Sequence, residues 1–274
     1  MRFYISADIE GIAGVSSREN LAPGRCEYEQ ARDWMTDAVL AACDVLQQLG
    51  TSEVVVSDSH GNGQNIRFEK MPPFVRLVRS WPRPLGMMQG IEEGCFDGAL
   101  LIGYHAGAAN AAGTLSHTVS GEFFHDVRLN GSSVSEAIIS AALAGHFNVP
   151  VLMLAGDDIA IDETRNVLSG IATACLKRSY GFLSTNTLSP LAADQCLRAA
   201  VREAVERVGK VRPYVVPGPV ALEIRLRNRF MAEWLSYLQG LERLDAFTVR
   251  HQCVDIVAAS RFLQFLTSAR AALA

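Results

Sequence analysis

Four apolar runs in this sequence end in side chains that bind cations. Phe3-Tyr4-Ile5-Ser6-Ala7 leads into Asp8-Ile9-Glu10-Gly11, and Glu53-Val54-Val55-Val56-Ser57 into Asp58-Ser59-His60. Ala99-Leu100-Leu101-Ile102-Gly103 leads into Tyr104-His105, and the run from Val149 to Leu154 is followed by Asp157-Asp158. Side chains alternate along a strand, so Asp8 and Glu10 point the same way if the extended geometry persists. Asp, Glu and His without Cys suit Zn²⁺, Mn²⁺ or Co²⁺. Two such ions sharing a carboxylate polarise a carbonyl and supply hydroxide near neutral pH, which is hydrolytic chemistry.

Each residue also has a plainer role. Asp8 can cap a turn while Glu10 is solvated; His60 can be a turn residue and His105 a core histidine bonded to backbone. Glu136, near a helix start, favours the helix dipole, and taken alone that is the better account of it. Asp157 and Asp158 either orient ligands or cap the next helix, and capping is preferred. Ser116-His117 is not read as nucleophile and base, because adjacent side chains point apart. His125 and His146 read as surface or helix-end residues. Gly61-Asn62-Gly63 lacks the phosphate-loop lysine and the dinucleotide fingerprint.

The elements that would position these groups follow from periodicity. The four runs are strands of buried type, separated by amphipathic helices at 27–49 and 133–146. Gly50 is a natural cap for the first of these. A short strand is expected at 85–89, an amphipathic piece at 74–81, and a hairpin turning on Asn130-Gly131. The fold class expected is α/β: a mostly parallel sheet flanked by helices, with the strand ends gathered at one edge. Past about 160 the histidines thin out. Helices at 161–168, 189–208, 228–239 and 253–272 alternate with strands at 171–176, 220–226 and 244–250, a smaller α+β portion. The expected division is a metal-binding α/β domain over 1–165 and a C-terminal portion over 166–274, open to packing as part of one domain.

Composition narrows the class. Of 274 residues 49% are hydrophobic and 20% charged, enough for a large core, and the net charge is −4 with no basic run. Nucleic acid and membrane surfaces are therefore not expected partners. The six cysteines at 26, 43, 95, 175, 196 and 253 form no Cys-x-x-Cys pair, so a thiolate site is not expected and a reducing compartment is. With no secretory signal or membrane-length apolar run, the expected location is the cytoplasm.

The ordered motifs Ser6-Ala7-Asp8-Ile9-Glu10-Gly11-Ile12, Val56-Ser57-Asp58-Ser59-His60, Leu101-Ile102-Gly103-Tyr104-His105, Ser116-His117, Val149-Pro150-Val151 through Ala155-Gly156-Asp157-Asp158, and Leu188-Ser189-Pro190 resemble the M55 metallopeptidases, the D-aminopeptidases of the dipeptide-transport A type. The resemblance covers the whole chain and is densest over 1–160. It implies two zinc ions per subunit, with Mn or Co as substitutes. The ligands would be Asp8, Glu10, His60, His105 and Glu136, with Asp8 shared, and His117 would be the catalytic histidine. It further implies release of N-terminal D-residues from short peptides or aminoacyl amides, and a large homo-oligomer of stacked rings, a decamer. Ser135 and Ala137 around Glu136 depart from the family's usual Gly-Glu step. Asp58 is the acid considered for the substrate's amino group. The helix at 228–239, carrying Phe230, Met231, Trp234, Leu235 and Leu238, serves either an interface or the core. The rival readings are another metal-dependent amidohydrolase or phosphoesterase on this scaffold, and a non-catalytic peptide-binding protein of a transport system. Turnover of aminoacyl amides against phosphate esters separates the first; peptide binding that survives a chelator, without turnover, marks the second.

Overall fold

Phe3 to Ala7 are all buried because they lie in a central strand, β1 (Arg2–Ala7). The computed structural model describes residues 1–273. After β1 come α1 (Tyr28–Gln48), β2 (Glu53–Asp58), β3 (Val75–Val78), β4 (Gly98–Tyr104), β5 (Phe124–Leu129), β6 (Ser132–Ser133), α2 (Glu136–His146), β7 (Val151–Asp157) and α3 (Asp158–Arg165). The chain continues through β8 (Ala172–Gly181), β9 (Ser184–Thr187), α4 (Pro190–Glu206), β10 (Val220–Leu226), α5 (Arg229–Leu235), β11 (Leu241–Arg243), β12 (Thr248–Cys253) and α6 (Ile256–Leu273).

Seven strands form one sheet in the order β3-β2-β1-β4-β7-β8-β9, parallel except for the final β8–β9 pair. The chain steps outward from β1 to β3, then returns to the other side of β1 as β4. That reversal opens a crevice beyond the carboxyl ends of β1 and β4, where such sheets bind ligands. Five strands form a second, antiparallel sheet in the order β11-β12-β10-β5-β6. Each sheet draws on both portions of the chain: β8 and β9 extend the first, and β5 and β6 belong to the second.

Helices α1 and α4 cover one face of the large sheet. Ala31, Met35, Val39, Ala42 and Leu46 of α1 are buried at helical spacing against Phe3, Ile5 and Val54, and Gly50 ends that helix at φ +82°. The other face (Tyr4, Leu101, Leu154) is joined through α2 and α6 to the inner side of the second sheet (Val127, Ile224, Val249) in one apolar core. Each fully buried Leu, Ile or Phe here stabilises by about 1.5–3 kcal/mol.

The expected hairpin forms, with Asn130 and Gly131 at φ +51° and +85°. Asp157 accepts from Ala160 N at 2.8 Å and caps α3, which starts earlier than the 161 expected. The strand expected at 85–89 is instead a 3₁₀ turn over Gly86–Met88, because Gly86 takes φ +56°, outside any extended strand. The edge strand is β3, in the stretch read as an amphipathic piece. The strand expected at 171–176 runs on to Gly181 and folds back as β9. The strand expected at 244–250 begins at Thr248, since Asp245 caps a turn by accepting from Phe247 N and Thr248 N. Helix α5 is shorter than expected and divides its apolar residues. Ala232 and Leu235 are buried; Phe230 and Trp234, with Tyr237 and Leu238 just beyond, are exposed.

Candidate metal centre

The strand ends deliver the side chains the sequence singled out. Asp8 N donates to Ile102 O at 2.8 Å and Gly11 N to Gly103 O at 2.7 Å, locking the β1 turn onto β4. Gly103 permits this approach, since at φ +77° a Cβ there would lie 2.0 Å from Asp8 O. Ser59 N donates to Ala7 O at 2.8 Å and brings in His60. His105 follows β4 directly. Glu136 is the first residue of α2 and is buried, not solvated.

Asp8, Glu10, His60, His105 and Glu136 form one buried cage with His117 at its rim. Asp8 spans it: Oδ1 lies 3.3 Å from His60 Nδ1, and Oδ2 lies 3.5 Å from His105 Nε2. Glu10 Oε2 is 2.9 Å from His60 Nδ1, and Glu136 Oε2 is 3.6 Å from His105 Nε2. His117 Nε2 lies 3.6 Å from Glu136 Oε1 and 4.0 Å from Glu10 Oε1.

Each imidazole spends its other nitrogen on a backbone carbonyl. His60 Nε2 pairs with Leu21 O at 2.7 Å, His105 Nδ1 with Ala106 O at 2.9 Å, and His117 Nδ1 with Leu115 O at 2.8 Å. A nitrogen donating to a carbonyl leaves the opposite one as a bare lone pair, the tautomer a metal requires. The consequence is visible in the cage, where Asp8 Oδ2, Glu10 Oε2 and His105 Nε2 are buried without a hydrogen-bond partner. Unpaired buried acceptors are costly, and a cation among them removes the cost. The donor atoms group as Asp8, Glu10 and His60; Asp8, His105 and Glu136; and Glu10, His105 and His117. An oxygen-and-imidazole set of this kind fits Zn²⁺ and its borderline neighbours.

The electrostatics agree. Burial and the neighbouring Glu10 raise the Asp8 carboxyl to about 7. For Glu10, burial pushes upward, but His60, His117 and His105 outweigh it and hold the carboxyl well below its ordinary value. Burial lowers His105, yet Glu136, Glu10 and Asp8 outweigh it and bring the imidazole up to about 10. His60 is raised in the same way by Glu10 and Asp8. Crowded carboxylates draw protons onto the histidines wherever no cation does that work.

Groups to which the sequence assigned no role hold the cage in place. A chain of buried hydroxyls runs beneath it: Tyr104 OH donates to Ser6 Oγ at 2.7 Å and lies 3.1 Å from Ser140 Oγ, and Ser6 Oγ lies 2.9 Å from Ser59 Oγ. These residues neighbour Asp8, His60, His105 and Glu136 in sequence or one helical turn away, so the chain ties the four donor segments together. Lys177, buried on β8, donates to Glu10 O and, at 2.6 Å, to Val15 O. Val119 N donates to Glu136 Oε1 at 2.7 Å from a backbone at φ +63°, a strained setting for a β-branched residue. The Asp58 carboxylate is engaged elsewhere: it accepts from Asn65 N (2.6 Å), Asn65 Nδ2 (2.7 Å) and Ile66 N (2.7 Å), fixing the loop after His60. The Ser116 hydroxyl donates to Asn110 O, away from His117.

A cavity of about 350 Å³ opens beside Asp8, Glu10, His60, His117 and Glu136. A larger one of about 670 Å³, between α1 and α4, is lined by neither histidine nor glutamate. The smaller space is the one that the cage residues line. Among the described residues no helix is long and apolar enough to cross a membrane.

A carboxylate–imidazole cage at the switch point of a doubly wound sheet is an arrangement that suits an α/β metallohydrolase. The family model of the M55 peptidases, described as D-aminopeptidase, matches residues 1–265. The chain belongs to that family and is an enzyme, a hydrolase of the aminopeptidase class. It is 32% identical over 268 residues to a D-aminopeptidase of Bacillus subtilis (strain 168), covering 97% of each chain. Its fold superposes with a TM-score of 0.92 on the structure of the Zn-dependent D-aminopeptidase DppA from Bacillus subtilis, a self-compartmentalizing protease. That match has 31% identity and covers 100% of this chain and 98% of the other.

Proposed function

We propose that this protein removes N-terminal D-residues from short peptides and aminoacyl amides at a two-zinc site, with Asp8 as the shared ligand. Glu10 and His60 would complete one ion's protein ligands, and His105 and Glu136 the other's. The observation that carries the reading is the trio of unpaired buried atoms, Asp8 Oδ2, Glu10 Oε2 and His105 Nε2. Zinc as the metal is supported by the relative described as Zn-dependent.

When bound, the ions polarise the scissile carbonyl and lower the pKa of water. This chain's own residues do the rest. Asp8, Glu10 and Glu136 supply the negative charge that retains the ions, and the carbonyls of Leu21 and Ala106 hold His60 and His105 in the required tautomers. His117 is less buried than the others and reaches the cavity through Nε2. It takes the proton released as water adds to the carbonyl and delivers it to the leaving amine as the C–N bond breaks. Its Nδ1–H stays on Leu115 O throughout, which keeps the ring in register. Val119 N keeps Glu136 Oε1 occupied and leaves Oε2 turned toward His105.

The cavity suits a small substrate such as a dipeptide or aminoacyl amide. A homo-oligomer of ring type is supported by the relative's description as self-compartmentalizing and by the exposed Phe230, Trp234, Tyr237 and Leu238. The six cysteines, all unpaired, fit a cytoplasmic location.

Metal analysis with turnover tests the reading. Wild-type protein should carry about two zinc ions per chain and cleave D-alanyl amide faster than its L-isomer; His105→Ala should lose metal and activity together. No tightly bound metal and no turnover after added zinc, manganese or cobalt would overturn it.

A further inference from the structure

The cavity has a second wall, built by α6. Gln264, Thr267 and Ser268 line the same space as Asp8, Glu10 and Glu136. The helix is anchored there, since Leu263 and Leu266 are buried in the core and Ser260 Oγ donates to Pro84 O at 3.1 Å. The turn at Gly86 makes room for the Gln264 side chain: at φ +56°, a Cβ on Gly86 would lie 2.8 Å from Gln264 Nε2. The amide nitrogen thus lies beside Gly86. Among the described residues it makes no side-chain hydrogen bond. The Thr267 hydroxyl, by contrast, turns back onto its own helix and donates to Leu263 O (3.3 Å) and Gln264 O (3.1 Å).

A peptide with a free N-terminus brings an α-ammonium into this space, and its three N–H groups need acceptors. Asp58 is fully engaged elsewhere. The acids lining the cavity are Asp8, Glu10 and Glu136, which the proposed function assigns to metal. Ser59 lines it too, but its hydroxyl already bonds Ser57, Ser6 and Met87 O. Gln264 Oε1 is an amide carbonyl oxygen beside this space with no hydrogen-bond partner among the described residues.

We infer that Gln264 is a substrate-recognition residue whose Oε1 accepts a hydrogen bond from the substrate's α-ammonium. The inference rests on the aminopeptidase reading. It explains how the enzyme selects a free N-terminus without a dedicated carboxylate beside the metal ligands. A neutral acceptor serves better there, because a further acid would compete for the cation.

Three variants of zinc-loaded enzyme test this on D-alanyl amide. Gln264→Leu keeps the volume and removes the acceptor; KM should rise about tenfold or more with kcat little changed. Gln264→Glu keeps the acceptor and adds attraction, so KM should equal or fall below wild type. Gln264→Lys opposes the ammonium and should raise KM beyond the Leu variant. Zinc per chain is measured for each, so that a Glu recruited as a metal ligand is recognised. An unchanged KM in Gln264→Leu, or equal impairment in Gln264→Glu at wild-type zinc content, overturns the inference. If zinc-loaded wild type cleaves neither D- nor L-aminoacyl amides, the aminopeptidase reading fails and this inference falls with it. If wild type cleaves them, the variants judge Gln264 alone.

Discussion

The imidazoles of His105 and His117 stack with centroids 4.3 Å apart and planes 17° from parallel, each 3.6 Å from a different oxygen of Glu136. The two rings differ in depth. His105 is sealed, while His117 keeps 23% of its side chain exposed and borders the cavity. Similar chemistry at two depths gives two roles that mutation can separate.

His117→Gln is expected to lower kcat about 10²–10⁴-fold, the usual range for losing an acid–base group, with zinc content near wild type. His105→Ala is expected to lose metal first. Metal analysis of both purified variants beside their kinetics checks the split. Equal metal loss in the two would make His117 a ligand, as its grouping with Glu10 and His105 permits.

The pH dependence follows from protons that metal must displace. In the metal-free protein His105 is raised to about 10, so its stabilising contribution is complete below its ordinary value of 6.5 and is lost as pH rises through 10. Asp8 is raised to about 7, so the folded metal-free state loses stability as pH climbs from 3.8 toward 7. Both trends weaken the metal-free form at alkaline pH. Zinc needs both groups deprotonated, so its affinity rises over the same interval. The gap in Tm between zinc-loaded and metal-free protein should therefore widen from pH 6 to pH 9. Calorimetry in buffers of different ionisation enthalpy should register proton release on zinc binding. A constant gap with no proton release would contradict this cage as the binding site.

What the sequence disclosed and what it hid follow from the physics of each residue. Asp8, Glu10, His60 and His105 were legible because each ends an apolar run, and a parallel sheet places such ends together. Glu136 was not legible from residue types, since an acid at a helix start satisfies the dipole equally well in water; only the resemblance singled it out, and it is buried among His105, His117 and Val119, which lie far from it in sequence. Lys177 sits in Cys175-Leu176-Lys177-Arg178, which reads as a strand reaching solvent. It is buried because β8 lies inside the sheet beside β7. Gln264 lies more than a hundred residues from the nearest cage residue, and no local pattern distinguishes it from any surface glutamine on an amphipathic helix.

Tyr104→Phe tests the hydroxyl chain. The change removes one oxygen and leaves Ser6 and Ser140 each short of a buried partner, at a cost of about 1–3 kcal/mol. Denaturant unfolding of metal-free protein should show that loss. Zinc affinity should fall as well, because Tyr104 neighbours His105 and its partner Ser6 lies two residues before Asp8. Unaltered stability would mean that the chain is replaced by water.

Lys177→Met removes an ammonium bonded to the carbonyls of Glu10 and Val15. Burial holds this amine down at about 8, so the fold sustains a charged group against its solvation preference. Losing it leaves two buried carbonyls unpaired, each costing about 1–3 kcal/mol. It also loosens the turn between Glu10 and Val15. The expected result is a lower Tm and weaker zinc binding together, measured by thermal unfolding with and without added zinc. A stabilised variant with unaltered zinc affinity would show that methionine packs the site better than lysine serves it.

The apolar surface around α5 should report assembly. Phe230, Trp234, Tyr237 and Leu238 are 69%, 46%, 73% and 47% exposed, whereas Leu235 on the same helix is 1% exposed. A helix that turns one side into the core and leaves aromatic groups in water is poorly placed in a lone chain but well placed at a subunit contact. Phe230→Glu with Trp234→Glu is therefore expected to reduce the mass measured by light scattering, with secondary structure intact. Leu235→Glu is the contrasting change: it puts a charge into the core and should unfold the chain. If the wild type measures as a monomer, or the double variant keeps the wild-type mass, the α5 surface has no part in assembly.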